Sequence, residues 1–446
     1  MREWVGVDRS APSTIHSFTY CPSLLCAAKP VQPGWALAHS LIRSFTQLPQ
    51  VNTISHYNFA GHRAVVRVDF NVPLDKDLHI TDDTRIRAAT PTIRKILQDG
   101  GSVVLLSHLG RPKGGYEKKF SLETLLPRLR QEYGRDVKWG GDVLSDQALA
   151  TAQSLQPGEV LLLDNVRFHK EEEAGNEAFA QQLARLGDVY VNDAFGAAHR
   201  RHASTAVMAH SFAPQDRVAG LLLQSEIDNA QKVLENPERP FTAIMGGAKI
   251  SDKIEIIERL LDKVDNLLIG GGMAYTFAVA EGGHVGNSLL EADKVGLAKE
   301  LLAKAKAKGV NLLLPGDSLI ANKFANDADV ETASTLAIPE GWMGLDLGTD
   351  AREDFAGIIR ASKTVLWNGP VGVFEMSNFS LGTEYVARAV AEATEAGAYS
   401  LIGGGDSAAA VQQLGYADRV SYISTGGGAL LEFMEGKELP GVAALQ

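Results

Sequence analysis

Cysteine is nearly absent: the 446-residue chain has two, Cys21 and Cys26, both close to its start. The body beyond them therefore has no disulfide framework, no cysteine zinc site and no catalytic thiol, and it suits a reducing compartment such as the cytoplasm. Long apolar runs are missing as well, since none approaches the roughly 20 residues that a membrane-crossing helix needs. Basic excess is also lacking. The net charge of −11 argues against a general binder of nucleic acid or of anionic membranes.

What is present is globular. With 45% hydrophobic and 22% charged residues, a chain of this length is expected to form two domains with sizeable cores. Charge is unevenly spread. Residues 51–220 carry 14 Arg and 7 Lys against 21 acids, a net of zero, whereas residues 221–446 carry 6 Arg and 12 Lys against 31, a net of −13. Arginine is concentrated in the first half, and its planar fork suits bidentate binding of phosphate and carboxylate. Taken singly, most of these arginines read as solvated surface.

Residues 1–50 differ from the rest, with two acids (Glu3 and Asp8), several Ser and Thr, and no sustained periodicity. Their best apolar stretch is short and flanked by Pro22 and Pro30, unlike a secretory signal. Arg2, Arg9 and Arg43 allow an organellar transit peptide as the minor reading. The favoured expectation is a disordered extension or an upstream start, with Val51 where a shorter product would begin; no Met lies between Met1 and Met208. The intact mass of natively expressed protein tests this, and a mass that includes residues 1–50 rules out the short start.

From residue 60 onward, short β-branched runs alternate with amphipathic stretches, the pattern of parallel α/β sheets. Strands are predicted at 62–70, 102–108, 159–165 and 188–193, then at 241–246, 266–270, 311–315, 364–367, 399–403 and 420–425. Predicted helices include 83–98, 121–133, 176–186, 293–308, 383–394 and 407–414. Between the two series, 222–236 reads as a helix stopped by Pro237 and Pro240, a natural connector of domains. In open parallel sheets ligands bind beyond the carboxyl ends of strands, and the unusual residues gather there.

In the first half, Asp69 and Asn71 follow one strand at a spacing that can send both side chains the same way. His108 and Arg111 follow the next in SHLGRP, Arg167 follows another, and Arg200 lies in DAFGAAHR. Arg85 opens a helix. Together these form a candidate basic pocket for a doubly anionic ligand, although Asp-x-Asn alone is commonly a turn and His108 alone reads equally well as a core histidine. In the second half the strand ends are glycine-rich. GGAKISDK places Lys249 and Lys253 four apart at an expected helix start, hence on one face, near amides that favour phosphate; the Walker A spacing is absent. Asp406, beside glycines at a helix start, is placed for Mg²⁺.

Nine segments, RVDFNVP, SHLGRP, NVRF, DAFGAAHR, GGAKISDK, GGGMAYTF, WNGPVGVFE, GGGDS and STGGG, occur in the order and approximate spacing of the phosphoglycerate kinase family, which the chain resembles over essentially all of residues 51–446. The resemblance implies two Rossmann-like, doubly wound parallel-sheet α/β domains, joined by a helix and facing across a cleft. By the same resemblance the first domain (51–221) holds 3-phosphoglycerate or 1,3-bisphosphoglycerate through Asp69, Asn71, Arg85, His108, Arg111, Arg167 and Arg200. The second (237–434) holds ADP or ATP through Gly247, Ala248, Lys253, Gly271, Asn368 and Glu375, with Gly404, Gly405 and Ser407 at the phosphates and Asp406 on Mg²⁺. Arg85 and Lys249 are the implied catalytic charges. Residues 435–446 return to the first domain, and the family suggests a monomer. Departures are small: Arg201 follows Arg200 where a small or varied residue is usual, and Ser407 stands where Thr is also common. A dinucleotide-dependent oxidoreductase would need Gly-x-Gly-x-x-Gly with an acid about 20 residues on. The nearest segment, 403–408, ends in Ala, and 421–426 contains no acid. A non-enzymatic nucleic-acid binder would need a basic domain, and the Arg-rich half is neutral.

Overall fold

A computed structural model describes residues 51–446; the extension, both cysteines and the expectations attached to them lie outside the described residues. Two six-stranded sheets, each wholly parallel, organise the chain. The first contains β1 (Arg63–Val68), β2 (Ser102–Leu106), β3 (Val137–Trp139), β4 (Val160–Leu162), β5 (Val189–Asp193) and β6 (Arg217–Ala219), in the order β3-β4-β2-β1-β5-β6. The second contains β7 (Phe241–Met245), β8 (Asn266–Ile269), β9 (Asn311–Leu313), β10 (Thr364–Asn368), β11 (Tyr399–Gly403) and β12 (Tyr422–Ile423), in the order β9-β8-β7-β10-β11-β12. Central strands such as β2, β5 and β7 are buried along their whole length. Helices cover both faces of such sheets, which is why these strands read as continuous apolar runs and not as alternation.

Ten of the twelve strands fall on predicted ones, most of them trimmed at their ends, while β10 runs one residue longer and β11 matches. β3 and β6, three residues each, were not foreseen. Neither was a small antiparallel sheet in the second domain, in which Asp317–Ala321 pairs with Val330–Ser334 on one side and Met343–Leu347 on the other.

Each sheet has a point where successive connections leave to opposite sides: between β1 and β5 in the first and between β7 and β10 in the second. Crevices open at such points beyond the strand ends.

The connecting helix runs Leu221–Glu235, one residue earlier than predicted. Both domains grip it. Its first amides are held from the first domain: Thr92 Oγ1 accepts from the Leu221 N–H at 2.8 Å, and Asp193 Oδ1 accepts from Leu222 and Leu223 at 2.9 and 3.1 Å. Farther along, the buried Glu226 accepts from the Thr425 N–H and hydroxyl, each at 2.7 Å. At the other end of the chain, Gly441 donates to Ala198 O at 2.8 Å, and Asn192 Nδ2 donates to Gly441 O at 3.0 Å.

Burial pushes the Asp193 carboxyl up to about 7, against the helix amides and Thr92. A carboxyl raised in the folded state binds its proton more tightly than in the unfolded chain. Its contribution is therefore most favourable at low pH and declines as pH rises from about 4 to about 7. Asp193→Asn keeps an acceptor for the helix without the titration, so its stability relative to the parent should improve across that window. Asp193→Ala also removes the titration but loses the cap, so it should lie about 1–2 kcal/mol below Asp193→Asn at both pH values. Urea unfolding at pH 5 and pH 8 checks both.

Candidate active site

In the first domain the seven residues singled out from the sequence converge. Asp69, Asn71, Arg85, His108, Arg111, Arg167 and Arg200 all line one cavity of about 220 Å³ beyond the β1–β5 switch point, with Gly110, Gly196 and Ala197 completing it. Asp69 lies just past β1. Arg85 Nη1 donates to Asp69 Oδ1 at 2.9 Å and to Asn71 O at 3.3 Å. Asn71 Oδ1 accepts from the Gly110 N–H at 2.7 Å, and Arg167 donates to Gly110 O at 2.9 Å, so the turn after β2 is fixed from two sides. Arg200 Nε bonds to His199 Nε2 at 3.1 Å, and Arg111 is exposed.

The cavity is electropositive. His202 beside it is pushed down to about 4, by burial first and then by Arg167, Arg67 and Arg200. Burial also drives His108 well below its ordinary value, with Arg67, Arg167 and Arg85 adding to the effect against Asp69. Burial alone would raise Asp69, but the guanidinium groups of Arg85 and Arg67 and the Asn71 N–H more than reverse it, leaving the carboxylate below its usual range even with His108 neutral.

Sequence reading passed over Arg67, although it stands in RVDFNVP. It is wholly buried on β1, donates to Ser204 Oγ at 2.7 Å and to the carbonyl of Val68, and places Nη2 3.3 Å from His108 Nδ1. A guanidinium only donates, so His108 Nδ1 must accept. Its proton then sits on Nε2. Arg67 thereby fixes His108 as a neutral donor. The available signal was an arginine inside an apolar strand, a position that requires a partner.

In the second domain, glycine turns after β7 and β10 interlock. Gly246 donates to Asn368 O and Gly247 to Pro370 O, each at 2.9 Å, and Gly271 donates to Val371 O at 3.0 Å. A Cβ on Gly271, at φ +67°, would lie 2.6 Å from Gly247 O. Lys253 Nζ donates to Asn368 O at 2.9 Å and also to its Oδ1. Asn368 Nδ2 is buried without a partner, and a Cβ on Gly404 would come within 3.0 Å of it. That orphaned donor sits beside the start of the helix Gly405–Gln413, whose first amides have no intrahelical acceptor. The two features together suit phosphate oxygens. Ser407 is buried and its Oγ accepts from Gly369 N at 2.6 Å, so its side chain braces the β10 turn. Ala248 and Glu375 are exposed.

One expectation is corrected. Lys249 and Lys253 do not share a helix face, because the helix starts at Ile254 and the segment before it is a turn. Lys249 is exposed, while Lys253 turns inward onto Asn368. Asp406 stands exposed in the first turn of its helix; burial carries the Lys253 ammonium down to about 8 even though Asp406 and Asp252 both act to raise it. Among the described residues no three His, Cys, Asp or Glu gather as metal ligands. A cation here would rest on one carboxylate and ligand oxygens, which fits Mg²⁺ with a nucleotide.

The lobes meet near both sites. Gln412 Nε2 donates to Thr84 Oγ1, next to Arg85, at 3.3 Å, and a Cβ on Gly426 would run into Phe195.

The family model described as phosphoglycerate kinase matches residues 54–437. Similar curated proteins include a phosphoglycerate kinase of Porphyromonas gingivalis, 52% identical over 88% of this chain and 100% of its own length. A cytosolic phosphoglycerate kinase of Nicotiana tabacum is 53% identical over 89% and 98%, and a chloroplastic one of Volvox carteri is 52% identical over 89% and 85%. Among solved structures, phosphoglycerate kinase from Coxiella burnetii superposes with a TM-score of 0.79 at 40% identity, covering 89% of this chain and 99% of that one. Sequence, fold and the order of the site segments agree, and the chain belongs to the phosphoglycerate kinase family.

Proposed function

We propose that the chain transfers a phosphoryl group reversibly from 1,3-bisphosphoglycerate to ADP, giving 3-phosphoglycerate and ATP, with the acid in the first-domain cavity and the nucleotide on the glycine turns of the second. The observation that carries this assignment is the convergence of Asp69, Asn71, His108 and four arginines on one small cavity at the switch point of the first sheet. The orphaned Asn368 amide at the switch point of the second supplies the matching phosphate bed.

In the direction of ATP use, an oxygen of the 3-phosphoglycerate carboxylate attacks the terminal phosphorus and ADP leaves with the electron pair of the broken P–O bond. The nucleophile is already ionised, so no general base is required, and a neutral His108 serves as a donor. Asp69 and Asn71 orient Arg85, which together with Lys249 faces the charge that builds on the transferring group. Asp406 would hold Mg²⁺, whose contribution when bound is to neutralise phosphate charge. Gly247, Ala248, Gly271, Asn368 and Glu375 bed the nucleotide, and Lys253 keeps Asn368 in place. Because the ligands sit on different domains (boundaries near 221 and 237, with 435–446 completing the first), closure about the connecting helix brings them in line and expels water. We further assign a monomer, as the family resemblance suggests, and a place in the cytoplasm, on the cysteine-free body and the cytosolic relative. Import directed by residues 1–50 is the alternative that fractionation of the native protein would reveal.

Turnover of MgATP with 3-phosphoglycerate, coupled to NADH loss through glyceraldehyde-3-phosphate dehydrogenase, tests the assignment. Activity should vanish when either Mg²⁺ or the acid is omitted, and a folded protein without turnover would overturn it.

A nucleotide phosphate should raise the Lys253 ammonium from about 8. Binding would then take up a proton just above pH 8, and ADP affinity should fall as pH climbs past that value. Calorimetry at pH 8.5 in buffers of different ionisation heat reads the proton directly.

A further inference from the structure

We propose that the first domain carries a second ligand site, apart from the acid cavity, that takes an organic cation with a flat aromatic body. The site is a cavity of about 500 Å³ at the carboxyl ends of β3 and β4, the opposite edge of the sheet from β6. That volume lies within the range that accepts small molecules, and it is more than twice that of the acid cavity.

Its walls have the opposite chemistry to the acid cavity. Trp139, Tyr116 and Phe168 supply aromatic surface, the last two with ring centroids 5.3 Å apart at 61°. Glu123, Asp142 and Asp164 supply carboxylates, and the lining contains no Lys or Arg, His169 being its one basic side chain. Asp164 is buried and accepts from Ser121 Oγ, Leu122 N and Asn165 N at 3.1, 2.9 and 2.8 Å, donors that fix its orientation and act against the upward push of burial on its carboxyl. Asp142 is more open, 2.9 Å from His169 Nε2, and Glu123 is exposed.

A phosphate or carboxylate ligand would meet like charge on these walls. A neutral ring would make no use of the carboxylates. A protonated amine on an aromatic body satisfies both, through cation–π contact and charge-assisted hydrogen bonds. The same short turn, Val166–Phe168, sends Arg167 into the acid cavity and Phe168 into this one, so the two share a wall.

The test is calorimetric titration of the full chain with tryptamine and, separately, with indole-3-propionate, which has the same ring and the opposite charge. Tryptamine should bind saturably and at least about tenfold more tightly than the acid. Asp142→Asn and Trp139→Ala should each weaken it several-fold without altering turnover on 3-phosphoglycerate. Saturating 3-phosphoglycerate should leave tryptamine binding in place. Equal binding of the two indoles, no saturable binding of tryptamine, displacement by 3-phosphoglycerate, or indifference to both substitutions would each overturn the proposal.

Discussion

Arg85→Ala is expected to fold normally and to lower turnover on the order of 10³-fold, the scale on which a guanidinium aimed at a transferring phosphoryl group acts. Arg85 is held by Asp69 Oδ1 and Asn71 O at the mouth of the acid cavity, and its helix neighbour Thr84 touches the nucleotide-side helix through Gln412. That contact places Arg85 one residue from a bond to the second domain. Because its Asp69 partner keeps the Asn71 N–H as a donor at 3.1 Å, the cavity should survive the truncation. Arg85→Lys restores charge but not the fork and should recover only part of the rate. Circular dichroism establishes folding and the coupled assay gives kcat; a folded Ala variant near parental turnover would remove Arg85 from the chemistry.

Gly246→Ala should be among the most damaging single-methyl additions in the second domain. Its Cβ would fall 2.1 Å from Pro370 O and 2.5 Å from Gly369 O, both backbone atoms that no rotamer change can move. The turns after β7 and β10 would have to separate, breaking the Gly246 and Gly247 hydrogen bonds and shifting Asn368. Overpacking of this kind costs about 3 kcal/mol, and ADP binding should weaken with it. Gly296→Ala is the control. It adds the same methyl within the helix Val295–Lys308, where nothing lies within 4 Å, and should be neutral or stabilising by up to about 1 kcal/mol. Unfolding midpoints and ADP titrations of the two variants separate a local clash from a general dislike of added bulk.

Much of this architecture was readable in the chain because a parallel sheet buried on both faces writes itself as apolar runs, as in β2 and β5. What escaped lacked that signature. β3 is three residues long with Lys138 at its centre, and Val330–Ser334 is largely exposed and polar. Neither leaves a period to detect. Most residues of the first-domain cavity were legible because they follow strands whose register is set by burial. Lys249 and Lys253 were misjudged for the converse reason: spacing implies a shared face only once a helix has begun, and here it begins one residue later. Arg67 was hidden by its setting, since a charge within an apolar strand is meaningful only when its partners are known, and Ser204 lies 137 positions away.

The return of the chain's end to the first domain has a consequence for synthesis. Asn192 and Ala198 find their Gly441 partners about 220 residues after β6 has been made. At roughly 5–20 residues per second, the ribosome needs on the order of 10–40 s to supply them. For that interval the amino-terminal half can pair its strands, yet it waits with an open seam where the last turn will dock. Maturation of the first domain is thereby timed to completion of the whole polypeptide, and a nascent chain stalled before residue 441 would present that seam to chaperones.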